Sequence, residues 1–151
     1  MADREIEIWN NKGSLSLWHY EGFPRDYCGY HLSADRAGAE FLVGLIERFR
    51  SARYPARKLV ELDIPSQEVL SVPNCSKKCI SAQRVEFCFR IENPDDLWSI
   101  NDSEGTVKIE MGARSLDALE RGAGDMLLGD GDWSTGTENQ SAWFRWRVRS
   151  D

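Results

Sequence analysis

Hydrophobic and polar positions alternate most cleanly over Arg84 to Ile91, where Val85, Phe87, Phe89 and Ile91 interleave with Arg84, Glu86, Cys88 and Arg90. A period of two puts the apolar set on the buried face of a strand and leaves the other face partly wet. Thr106 to Met111 repeats the pattern, with Val107, Ile109 and Met111 against Thr106, Lys108 and Glu110. The turn residues Asn93-Pro94-Asp95-Asp96 lie between, so the two segments are expected to pair as antiparallel neighbours. A last strand is read over Ala142 to Arg149, with Phe144, Trp146 and Val148 on one face and Trp143, Arg145, Arg147 and Arg149 on the other.

Near the amino terminus, Glu5 to Trp9 and Ser14 to Trp18 both alternate and flank the turn Asn10-Asn11-Lys12-Gly13. Closing that turn as a hairpin places Ile8 opposite Leu15 and Ile6 opposite Leu17, all on one face, and leaves Glu5, Glu7, Trp9 and Trp18 on the other. A short strand is expected over Tyr27 to Leu32. The period then changes: Phe41, Leu42, Leu45, Ile46 and Phe49 recur at helical spacing. This predicts an amphipathic helix capped by Ser33 or Asp35 and ending near Ala52, before Tyr54-Pro55.

Weaker patterns fill the rest. Lys58 to Ile64 reads as a strand with Val60, Leu62 and Ile64 inward, and Glu68 to Val72 as another short piece. Asn74 to Cys79 is too polar for core and reads as a surface loop or a single helical turn. Ser115 to Arg121 is expected to form a short helix, capped by Ser115 and stopped by Gly122. The glycine-rich stretch from Gly122 to Gly136 has no convincing period and reads as a loop, with room for one helical turn at Met126 to Leu128.

Together these segments predict one α+β domain over residues 1–151: a mostly antiparallel sheet of about six or seven strands covered by one long amphipathic helix and one short helix. The length and a hydrophobic share of 41% are enough to bury a core without disulfides or a metal. A net charge of −6 argues against duplex nucleic acid as a partner, because affinity for a phosphate backbone comes from lysine and arginine. No apolar run reaches membrane-spanning length and no signal-like apolar stretch follows the initial Met-Ala-Asp-Arg-Glu. The four cysteines are therefore expected as reduced thiols in the cytoplasm.

Two Cys/His pairs, Cys28 with His31 and Cys75 with Cys79, have the ligand types of a structural zinc site. Against that, a spacing of three on a strand points Cys28 and His31 to opposite faces. Lys77 and Lys78 between Cys75 and Cys79 would favour thiolates and a reversible disulfide. Asp125, Asp130 and Asp132 invite a calcium reading, yet Ser141 stands where an EF-hand loop starting at Asp130 needs a bidentate glutamate. The row Arg145, Arg147, Arg149 reads as a solvated sheet face, paired across strands with Glu110 or Glu86.

No phosphate-cradling loop, Gly-x-Ser-x-Gly or His-Glu-x-x-His is present, so no residue is assigned as catalytic. Six tryptophans in an acidic chain point instead to a non-enzymatic protein-binding domain. Its contact residues are expected to be Trp9, Trp18, Glu5, Glu7, Trp133 and Trp143, and its partner another protein, basic in character. In size, acidity and α+β pattern the chain is similar to the small stand-alone bacterial proteins that include contact-dependent toxin immunity proteins, a resemblance of type rather than of motif. The alternative is a small-ligand or metal-binding domain, enzymatic or not, built on Cys28, His31, Cys75 and Cys79 with zinc as cofactor.

Overall fold

Asp35 fixes where the long helix begins. Its Oδ1 accepts hydrogen bonds from the amides of Gly38 at 2.7 Å and Ser14 at 2.8 Å, satisfying one orphan donor of the helix and one from the preceding chain at once. Helix α2 then runs over Arg36–Ser51 and buries the predicted stripe Phe41, Leu42, Leu45, Ile46 and Phe49. The computed structural model describes residues 4–22, 29–52, 55–70, 75–128, 133–135 and 142–144.

The remaining described elements are α1 (Arg4–Ile8), β1 (Leu15–Tyr20), β2 (Tyr30–Ala34), β3 (Ala56–Glu61), α3 (Gln67–Leu70), β4 (Cys79–Ser81), β5 (Arg84–Phe89), β6 (Trp98–Ser103), β7 (Thr106–Met111), α4 (Ala113–Leu128), β8 (Trp133–Thr135) and β9 (Ala142–Phe144). The fold is α+β, but the single sheet expected from the sequence is in fact two. A five-stranded sheet runs β4-β1-β2-β9-β8 and a four-stranded sheet β3-β5-β7-β6. Each is mixed, because β2 pairs with β9 and β5 with β7 in parallel. Alternation reports which face of a strand is buried; it carries no information on which strand lies beside it.

The chain passes between the sheets more than once, and one crossing runs from β4 straight into β5. There the seam is held by backbone bonds from Ala82 N to Leu17 O and Asp63 N to Leu15 O, both 2.8 Å, and from Leu62 N to Gln83 O at 2.9 Å. Helices α2 and α4 pack on each other, and with Leu17 and Leu32 of the first sheet and Val85, Phe87, Val107 and Ile109 of the second they enclose one apolar core. The rings of Phe49 and Phe89 stack at 6.3 Å and join α2 to β5 within it.

The amino-terminal hairpin does not form. Both edges of β1 are taken by distant strands, with Leu17 opposite Leu32 on one side and Trp18 opposite Ser81 on the other, so Arg4–Ile8 has no strand to join. Over five residues an i, i+2 alternation is as compatible with one helical turn, which buries Ile6 and leaves Ile8 outside. The expected antiparallel pairing of β5 and β7 is likewise replaced by a parallel one. β6, an element the polar stretch Trp98 to Ser103 concealed, turns back through Glu104-Gly105 and pairs antiparallel with β7, which thereby slots between β5 and β6. The β5–β6 connection passes over the end of β7, where a Cβ on Gly112 would stand 1.9 Å from Pro94 O.

The short helix expected to stop at Gly122 continues to Leu128, and it starts at Ala113 rather than from a Ser115 cap. The Asp95 carbonyl accepts from Arg114 N at 2.8 Å and Ser115 N at 3.3 Å, satisfying the first turn. Leu116, Leu119, Ala123 and Met126 keep helical spacing through the glycines, and their burial against α2 outweighs a glycine cost of about 1 kcal/mol each. Arg50 of α2 ties the pair together, donating to Glu120 at 2.6 Å and to Asp117. Burial lowers the pKa of Arg50, but its bonds to Glu120 and Asp117 outweigh this and raise it overall.

Other differences are local. β3 ends at Glu61, so Ile64 is 82% exposed instead of inward, and Ile91 lies just past the end of β5 and is also exposed. Gln67–Leu70 is a helical turn instead of a strand piece. β9 pairs with β2 and β8, not with β5 or β7, and among the described residues Glu86 has Arg57 of β3 as its ion pair, at 4.0 Å. Arg145, Arg147, Arg149, Asp130 and Asp132 lie outside the described residues.

Candidate partner-binding groove

Trp9 follows directly on α1 and lies against α2. Its Nε1 donates to the Phe41 carbonyl at 2.9 Å, and its ring rests on Gly44, where a Cβ would stand 2.3 Å from Cζ2. From another side Arg48 brings its guanidinium carbon to 3.7 Å from a Trp9 ring centroid while donating to the Gly44 carbonyl at 2.9 Å. A residue without a side chain, a helix carbonyl and a stacked cation therefore hold one indole in a single orientation. On the other flank Lys58 Nζ donates to Glu7 O at 2.9 Å and Asn10 Oδ1 at 3.1 Å, fastening the end of α1 to β3. Partial burial lowers the pKa of that ammonium, a shift the nearby Glu7 opposes.

Beside this anchored indole runs an open groove of about 870 Å³, lined among others by Ile8, Trp9, Phe41, Val43, Arg48 and Leu127. Ile8 is 64% exposed at its lip, an uncommon position for a large aliphatic next to a cavity. Glu40, Glu47 and Lys12 supply an exposed charged rim. The groove thus has an apolar centre with one pre-set aromatic and a polar margin.

Of the residues expected at a contact surface, Trp9 lines this groove, and Glu7 is exposed on α1 two residues before it. Glu5 lies in α1, Trp133 opens β8 and Trp143 is the central residue of β9, in register with His31; these three are placed by backbone alone. Trp18 is a correction: it is 0% exposed, on the face of β1 opposite Leu15 and Leu17, with its ring stacked on His31 at 5.6 Å. Tyr20 meets the same imidazole edge-on at 5.1 Å. The alternation of β1 does not tell which of its faces carries a second layer.

Of the zinc set, His31 and Cys79 lie on separate strands of the first sheet. His31 is fully buried on β2, Cys79 sits on β4 in register with Tyr20, and β1 stands between those two strands. Two strand spacings separate them by roughly 10 Å at the backbone. Cys75 lies in the loop before β4, and Cys28 lies outside the described residues. Among the described residues no group of three or more His, Cys, Asp or Glu side chains is placed to hold a metal ion. Cys75, Cys79 and Cys88 are free thiols; burial pushes the Cys79 thiol up, opposite to the thiolate that Lys77 and Lys78 led one to expect.

The chain matches no family model and no curated protein.

One cluster went unread in the sequence because it joins residues from the two sheets. His19 and Tyr30 meet edge-on at 5.3 Å, and the Asp102 carboxylate of β6 acts on both. Burial lowers the pKa of His19 against the pull of Asp102, and burial with Asp102 pushes the Tyr30 phenol up to about 12. No helix among the described residues is long and apolar enough to cross a membrane.

Proposed function

We propose that the chain is a non-enzymatic protein-binding domain, of the immunity type its size and acidity resemble, which seats an apolar side chain of a basic partner in the groove between α1 and α2. The observation that carries this reading is the pairing of exposed Ile8 with a Trp9 already locked by Phe41, Gly44 and Arg48. An anchor that is rigid before binding loses little conformational freedom on contact, so more of its burial appears as affinity. The net charge of −6, with Glu40 and Glu47 exposed around the groove and Glu7 exposed on α1, steers a cationic partner toward it. On this reading the protein works in the cytoplasm, in keeping with the free thiols of Cys75, Cys79 and Cys88.

The test is a pull-down from the native host with the wild-type chain, Ile8→Glu and Leu59→Glu. Ile8 and Leu59 are both exposed, at 64% and 54%, and belong to different surfaces, so neither change should unfold the protein. The reading expects one basic partner retained by wild type and Leu59→Glu and weakened about tenfold or more by Ile8→Glu, the size of a lost anchor contact. Equal retention by both variants, or no specific partner at all, would count against it.

A further inference from the structure

The outward face of the second sheet carries a feature the groove does not use. At one end of that face a pocket of about 330 Å³ opens over β3, β5 and β7, within the lower range of small-ligand sites. Its charged lining comprises three cations, Arg57, Arg90 and Lys108, and two carboxylates, Glu86 and Glu110. Cys88 stands at the centre: the register sets Arg57 directly beside it on β3 and Glu110 directly beside it on β7, while Glu86 is paired with Lys108 one step along. Glu110 thus flanks the thiol across the sheet with Arg57 on its far side, and Glu86 lies one same-face step along β5, diagonal to Glu110.

These charges do not consume one another. Among the described residues the one ion pair within the set is Arg57 with Glu86, at 4.0 Å, the outer limit for such a contact on a solvated surface. The thiol is held protonated and forms a neutral floor, its pKa pushed up to about 11 by burial and by Glu86 and Glu110 against the opposing Lys108. A small concave site that carries both signs of charge around a neutral base suits a ligand that carries both charges.

We propose that this pocket binds a free α-amino acid with an acidic side chain: the ammonium between Glu86 and Glu110, the carboxylates toward Arg57, Arg90 and Lys108. The excess of one cation in the lining matches a ligand with one ammonium and two carboxylates. Diagonal neighbours on adjacent strands lie about 7–8 Å apart at the backbone, near enough for two glutamates to share one ammonium. Charge-assisted hydrogen bonds from guanidinium to carboxylate supply the orientation.

The experiment titrates the full chain with L-glutamate and, separately, with succinate, which has the two carboxylates and lacks the ammonium. Backbone amide shifts and the thermal midpoint are followed. L-Glutamate is expected to shift the amides of Arg57, Cys88, Arg90 and Glu110 saturably and to raise the midpoint, with succinate about tenfold weaker or worse. Arg57→Gln and Glu110→Gln, surface changes that leave the amide spectrum otherwise intact, should each weaken L-glutamate by about tenfold. Ile8→Glu should leave it unchanged, which separates this site from the groove. Succinate binding as tightly as L-glutamate, shifts that map elsewhere, or no saturable shift at millimolar L-glutamate would each overturn the proposal.

Discussion

Gly44 lies directly beneath Trp9: a β-carbon on the helix residue would sit 2.3 Å from Cζ2 and 2.7 Å from Cε2 of the indole. The ring cannot simply slide away, because its Nε1 is bonded to Phe41 O and Arg48 covers it. Gly44→Ala should therefore expel the indole and destabilise the fold by about 1–3 kcal/mol, as overpacking does, despite the better helix propensity of alanine. Urea midpoints of Gly44→Ala against wild type check this. A stabilised Gly44→Ala would mean the indole has another resting place.

Gly124 offers the opposite case on the other long helix. It lies inside α4, and a β-carbon there would meet nothing within 4 Å. Gly124→Ala should stabilise by about 0.5–1 kcal/mol through the entropy of the unfolded chain alone. The two glycine-to-alanine changes, measured side by side, are expected to differ in sign.

Cys88 should be a slow thiol. With its pKa pushed up to about 11 from an ordinary 9.0, chiefly by burial, it holds little thiolate near neutrality. Iodoacetamide at about pH 8 should label it far faster in urea than in the native state. Because the folded value is the raised one, the associated stability is present below the ordinary value and is lost as pH rises through about 11.

His19 works in the other direction. Burial lowers its folded pKa below the ordinary 6.5, so the unfolded chain takes up the proton first as pH falls. Its contribution is fully present above that ordinary value and is lost as the solution is acidified through it. Urea midpoints between about pH 8 and about pH 5.5 should fall less in His19→Gln than in wild type. Asp102→Asn, removing the opposing charge, should steepen the fall, since Asp102 raises the His19 pKa.

By itself the sequence determined the elements whose pattern is long and periodic. The stripe of α2, a cap at Ser33 or Asp35, of which the structure uses Asp35, and the buried faces of β5 and β7 follow from side-chain period and local hydrogen bonding, and both act over a few residues. Only the tertiary structure decided which strands meet. The alternation of Ile6 and Ile8 ends up in a helical turn because distant strands occupy both edges of β1, and Gly122 does not end α4 because α2 buries the residues beyond it. The candidate sites belong to that second class. The groove brings Ile8, Val43 and Leu127 to one place, and the charged pocket brings Arg57, Glu86 and Glu110 together across three strands. Such convergence depends on strand order and helix packing, which are settled by the burial of whole faces at once and leave no mark at the spacing of a motif.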